Sequence, residues 1–129
     1  MLIFRKLCGI MRKKVQRKVK MTQEQYKTLK MTLLECGIFP SKKGFSYTMQ
    51  AVDLYGKQSE EICKIYEMVG KTFGVRRENV ERCIRYVIME SCQQGMLENL
   101  NKIFGVKVVA KGDYLCNRDF ISLLRMLID

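Results

Sequence analysis

The chain has 129 residues, 47% of them hydrophobic, with a single proline, nine glycines and no histidine. That is one domain with enough apolar material for a core, which excludes fibrous and low-complexity chains. Without histidine no Cys–His or Ser–His nucleophile can be assembled, and a Cys/His zinc site is not expected either. Glu60 and Glu61 are adjacent, so a helix would point them to different faces rather than into one acid–base site. The expectation is therefore no enzyme, no cofactor, no metal and no small-molecule substrate.

The net charge is +11, and it is unevenly spread. Residues 1–29 hold nine Lys/Arg and one Glu, whereas residues 30–129 hold fifteen Lys/Arg against twelve Asp/Glu. Such an excess attracts polyanions without saying which. The apolar start MLIF is four residues long and precedes the charges, the reverse of a signal peptide. No window approaches the roughly 18 consecutive apolar residues of a membrane span. The six cysteines form no CxxC pair. Cys36, Cys63, Cys83, Cys92 and Cys116 mostly take helix-period apolar positions, so they read as reduced thiols serving as small core residues. A cytoplasmic protein is expected.

In chain order, residues 1–21 read as a basic arm and residues 22–129 as the folded domain. Leu7, Met11, Val15 and Val19 recur every four residues among lysines and arginines. This fits a basic amphipathic helix, a flexible arm, or upstream sequence read from an early start, since Met21 also serves as one. A flexible arm is preferred because no acidic partner offsets the repulsion. Thr22 and Gln25 have the spacing of a capping box. Tyr26, Leu29, Leu33 and Cys36 then make an apolar stripe ending at Gly37. IFPSKKG is a loop, and a second helix is expected over 46–55 with Phe45, Met49, Val52 and Tyr55 inward.

Ser59 is positioned to cap a third helix, with Glu60 and Glu61 in its first turn. Ile62, Ile65, Tyr66, Val69 and Phe73 share one face of it, and Gly74 ends it. Glu78 or Asn79 opens a fourth helix, of about 78–94, with Val80, Cys83, Ile84, Val87, Ile88 and Ser91 inward. A short fifth helix is expected over 97–104, and VKVV as a brief extended piece. Asn117 is expected to cap a last helix that buries Phe120, Leu123, Leu124, Leu127 and Ile128. The fold class is all-α, a compact bundle of about six short helices.

The third and fourth helices meet at a glycine turn, the pattern of a helix-turn-helix. Gly70 is the small residue needed where the second helix packs on the first, and Gly74 the left-handed turn residue. Val69, Phe73, Val75, Val80 and Cys83 lock the pair. The outer face then carries Asn79, Glu81, Arg82, Arg85 and Tyr86. Arginine can donate to the guanine O6/N7 edge, Glu can accept from cytosine N4, and Asn suits adenine. Lys71, Arg76 and Arg77 surround the turn and, with Tyr86, are the candidate phosphate contacts. Against this, Glu81 and Arg85 are four apart, and such a pair often only decorates a solvated helix. The glycine turn beside it decides for base reading.

GIFPSKKGFSY, NVERCIRYVI, GMLENLNKIFG and NRDFISLLRML follow one another in this chain. In order and spacing they resemble the C-terminal effector domain of the stage-zero sporulation response regulators, over roughly residues 24–129. The resemblance implies a six-helix domain and sequence-specific binding to double-stranded DNA at TGTCGAA-like promoter boxes. It implies a tandem dimer, transcription control and RNA polymerase as a partner. Carried over by position, Glu81, Arg82 and Arg85 look like the base-reading group, with Asn79 facing DNA. The chain departs from that pattern in several places. A basic stretch of twenty residues, eight of them Lys or Arg, stands where the family has a receiver domain, so binding independent of a phosphodonor is expected. The loop between helices two and three is shorter than usual. Ser41 and Tyr86 replace common histidines, and Asn79 replaces a residue that is often basic. The alternative function is a receiver-less interaction module that pairs with, or competes against, a full-length regulator. Membrane association through the arm is not expected, because its apolar stripe is thin.

Overall fold

A computed structural model describes residues 21–129, so the expectations for the arm lie outside the described residues. Six helices follow one another: α1 (Gln23–Glu35), α2 (Lys43–Leu54), α3 (Ile62–Phe73), α4 (Arg77–Gln93), α5 (Asn99–Phe104) and α6 (Asn117–Ile128). Among the described residues there is no named strand. The all-α reading holds.

The capping box at α1 forms as expected. The Gln25 N–H donates to Thr22 Oγ1 at 3.1 Å and the Thr22 N–H to Gln25 Oε1 at 3.0 Å. Leu29, Leu33 and Cys36 are buried, whereas Tyr26 is exposed because it sits on the first turn, ahead of the core. The second helix begins three residues earlier than expected, at Lys43. Its buried set includes Tyr47, Thr48 and Ala51 beside the expected Phe45, Met49 and Val52. Tyr55 has left the helix and lies half-buried.

The other differences have local causes. Ser59 Oγ accepts the Glu61 N–H at 3.0 Å, and Glu61 itself is the N-cap of α3, so neither Glu60 nor Glu61 lies in its first turn. Leu97 is not in α5. Its N–H, with that of Met96, bonds the Ser91 carbonyl and closes the end of α4, at 3.3 and 3.0 Å. This is the closure made past a left-handed glycine, here Gly95. VKVV pairs with no strand because Asn101 takes its backbone groups. Asn101 Oδ1 accepts the Val108 and Val109 N–H groups at 2.7 and 3.0 Å, and its Nδ2 donates to the Val109 carbonyl at 2.9 Å. The cap of α6 is Cys116, and Asn117 is the first helical residue. Leu123 and Leu127 are only half-buried, while Ile121 and Arg125 join Phe120, Leu124 and Ile128 inside.

The core draws on all six helices, around Leu33, Val52, Ile65, Ile84, Phe120 and Leu124, with Leu100 as the contribution of α5. Of the cysteines among the described residues, only Cys36 is a core residue. Cys83 and Cys92 are half-buried, and Cys63 and Cys116 are exposed, which corrects the reading of all of them as core. Burial of Cys36 pushes its thiol up to about 12, with the neighbouring Glu35 carboxylate adding to the shift. Arg125 is buried in answer to α2. Its guanidinium donates to the Val52 carbonyl at 3.1 Å, satisfying one of the open acceptors at that helix end, and pairs with Asp129 at 2.8 Å.

Candidate nucleic-acid interface

The α3–α4 pair is built on two glycines with different tasks. A Cβ on Gly70 would stand 2.5 Å from the Val75 carbonyl oxygen, so a side chain there would hold the helices apart. The Val75 N–H in turn donates to the Gly70 carbonyl at 2.9 Å. Gly74 has open space around it, but its φ of +71° is the left-handed region that glycine adopts without steric cost. The chain then needs only Val75 and an extended Arg76 before α4 starts. Helix α4 therefore opens at Arg77, one residue ahead of Glu78.

Val69 and Val80 are fully buried between the helices, with Val75 and Cys83 half-buried. Phe73 differs from its expected place. It is 42% exposed, and its ring lies tilted against Tyr47 at 5.1 Å between centroids. It packs on α2 from outside because α3 ends at that residue. A third close approach was not anticipated from the sequence. A Cβ on Gly44 would meet the Cys83 carbonyl oxygen at 2.5 Å and Val87 Cγ1 at 2.6 Å. Gly44, in the first turn of α2, is thus the seat of α4. A glycine inside a run read as loop carries no signal of that kind.

With Val80, Ile84, Val87, Ile88 and Ser91 buried, α4 turns Arg82, Arg85 and Tyr86 to solvent, and Asn79 and Glu81 to its flanks. Asn79 Oδ1 accepts a weak bond from Cys83 Sγ at 3.6 Å, which leaves its amide nitrogen outward-facing in hydrogen-bond terms. Arg82 enters no hydrogen bond or ion pair among the described residues. Arg85 is held by Glu81: its Nε donates to Oε2 at 2.9 Å and its Nη2 to Oε1 at 3.4 Å. That hydrogen bond, with the charge of the same carboxylate, raises the guanidinium above its ordinary value. Tyr86 lies beside the Arg85 guanidinium at 5.4 Å from its ring centre and is 55% exposed.

Around the turn, Lys71, Arg76 and Arg77 are exposed. Arg77 is drawn towards Glu67 and Glu78, each at 3.7 Å, distances that mark solvent-screened pairs of little strength. These residues line one open groove that continues past Asn79 to Arg82. The structure thus brings the expected phosphate and base groups onto one continuous surface, with Tyr86 and Arg85 further along the same helix. It separates Phe73 from them. On the other flank of α4, Lys42 pairs with Glu90 at 3.4 Å.

Asn117 was missed as part of this assembly. Its Nδ2 donates to the Tyr66 hydroxyl of α3 and to the Glu81 carbonyl of α4, both at 3.0 Å. One buried amide therefore ties both helices of the motif to α6. Its sequence context shows only a residue suited to a helix start.

A bundle of six helices, with a glycine-turned pair presenting an exposed arginine face and a cationic turn, is a helix-turn-helix DNA-binding domain. Residues 29–128 match the family model described as sporulation initiation factor Spo0A C terminal, which takes in most of α1 and all of α2 to α6. The chain belongs to that family, a DNA-binding regulator domain of sporulation. Among the described residues no helix is long and apolar enough to cross a membrane.

Proposed function

We propose that the chain is a sequence-specific transcription regulator in which α4 enters the major groove of a TGTCGAA-like box. Arg82 carries the reading: it is an exposed guanidinium with its donors free, on the outer face of a helix pinned by Gly70 and Gly44. Five donors in a rigid fork match the guanine edge. Glu81 and Arg85 act as a unit, with the carboxylate holding one side of the fork and the remaining donors left for a base. Asn79 reads beside them. Lys71, Arg76, Arg77 and Tyr86 contact phosphates and set the docking register. Two copies side by side on tandem boxes, and contact with RNA polymerase, belong to the same proposal, as does a place on the nucleoid.

Selection of binding sites from random duplex DNA tests it. Enrichment of a TGTCGAA-like motif is expected, and the absence of any enriched motif would sink the reading in favour of a protein-interaction module. On the enriched box, Arg82→Ala or Arg85→Ala should cost about 1–3 kcal/mol, with little change on random DNA.

A further inference from the structure

The far flank of α4 is lined by a chain segment to which nothing so far assigns a task. Glu81, Arg85, Ile88 and Cys92 fall at i, i+4, i+7 and i+11, a single stripe along the helix. The last part of the segment between α5 and α6, from Asp113 into Asn117 at the start of α6, runs antiparallel to that stripe and is held to α4 at both of these residues. Cys92 Sγ donates to the Asp113 carbonyl at 3.3 Å, and Asn117 Nδ2 to the Glu81 carbonyl at 3.0 Å. The two anchors are eleven residues apart on α4, or roughly 16 Å. Between them stands Tyr114, 60% exposed, near enough to Arg85 for its phenol to add, after Glu81 and Tyr86, to the raising of that guanidinium. Lys111 and Arg118 bracket the segment. Both are exposed and enter no ion pair among the described residues.

We propose that residues 111–118 form a second DNA-contacting element, gripping the phosphate ridge beside the groove that α4 occupies through Lys111, Tyr114 and Arg118. This rests on the reading that α4 lies in the major groove. A helix with its side chains is about 10–12 Å across and the major groove about 12 Å wide. A segment fastened along the side of that helix therefore meets the sugar–phosphate wall, not the base edges. Two unpaired cations and an exposed phenol suit phosphate oxygens, which accept from Lys, Arg and Tyr without regard to sequence. The Asp113 carboxylate opposes this, yet its backbone is what the α4 thiol holds. The element is expected to add affinity on any duplex and no discrimination.

The test uses the full chain and two duplexes, one carrying the enriched box and one of random sequence. Lys111→Gln with Arg118→Gln should lower the slope of log affinity against log salt by about 2 on both, at roughly 0.9 per phosphate contact, with the affinity ratio between duplexes unchanged. Lys27→Gln with Lys102→Gln, in the α1–α5 groove, removes the same charge elsewhere and should leave the slope near that of the parent. Both pairs are exposed, so melting temperatures should match the parent. A slope unchanged by the first pair, or lowered equally by both, overturns the proposal. Arg82→Ala run alongside separates the two readings. If it abolishes discrimination while the first pair leaves the slope unchanged, only the second element is wrong. If it leaves discrimination intact, the placing of α4 in the groove is wrong.

Discussion

Asn117 replaces water for two groups that folding hides, the Tyr66 hydroxyl and one face of the Glu81 carbonyl. Asn117→Ala leaves the Tyr66 hydroxyl buried without its amide partner, which costs about 1–3 kcal/mol. Tyr66→Phe in the same chain removes the other half, so the double variant should lose less than the sum of the two singles. Urea denaturation of the four proteins measures this, and strict additivity would show the bond to be incidental. Cys36 gives a second residue-scale expectation. Its native thiol titrates near 12 while an unfolded thiol titrates near the ordinary 9.0. Below pH 9 both states hold the proton, so there is no effect. Above it the unfolded state releases the proton and the native state does not, so stability falls as pH rises, by up to about 1.4 kcal/mol per unit. Tyr47 and Tyr66, also raised by burial, add their own loss only above about 10. Unfolding between pH 8 and 10 should therefore steepen in the parent and flatten in Cys36→Ala. At this scale the sequence exposed residue types but not partners. The Thr22–Gln25 box could be read because both members lie in one turn, whereas Asn117 finds Tyr66 across 51 positions.

The elements divide by what ends them. Gly37 and Gly74 stop helices where the sequence places the stops, and Gly95 and Gly105 follow α4 and α5 in the same way, because a left-handed residue is a local requirement. Helix starts were less readable. Arg76 and Lys42 cap α4 and α2 with no side-chain bond, so no Ser, Thr, Asp or Asn marks them. The two turn glycines give opposite expectations. Gly70→Ala drives a methyl into the Val75 carbonyl and should destabilise by about 1–3 kcal/mol, with box binding lost as α4 shifts. Gly74→Asn meets no atom and suits a left-handed backbone, so it should cost under about 1 kcal/mol and keep discrimination. Thermal melts and box titrations of both variants check this. Equal losses would mean that the turn conformation, not the close approach, sets the pair.

Across the whole molecule the charge is the main lever. Residues 1–20 carry eight Lys/Arg and no acid, whereas the six-helix domain that follows is nearly balanced. Deleting residues 1–20 should weaken binding to random DNA and flatten its salt dependence while sparing the box-to-random ratio. An unchanged slope would remove that segment from the interface. The domain itself should keep its melting temperature, since its core of Leu33, Val52, Ile65, Ile84 and Phe120 lies wholly within the described helices.

Helix count, the glycine turn and the arginine-bearing face of α4 were determined by the sequence alone. Each depends on residues within one or two turns of one another, and periodicity records such spacing directly. What supports the reading helix was decided by the tertiary structure. The Glu81–Arg85 pair lies within one helical turn and is written in the string, whereas the open position of Arg82 is seen only in the fold. Gly44 and Asn117 come from distant parts of the chain to seat and fasten α4. Close approach and buried hydrogen bonding are properties of pairs brought together by folding, and no local pattern encodes the second member.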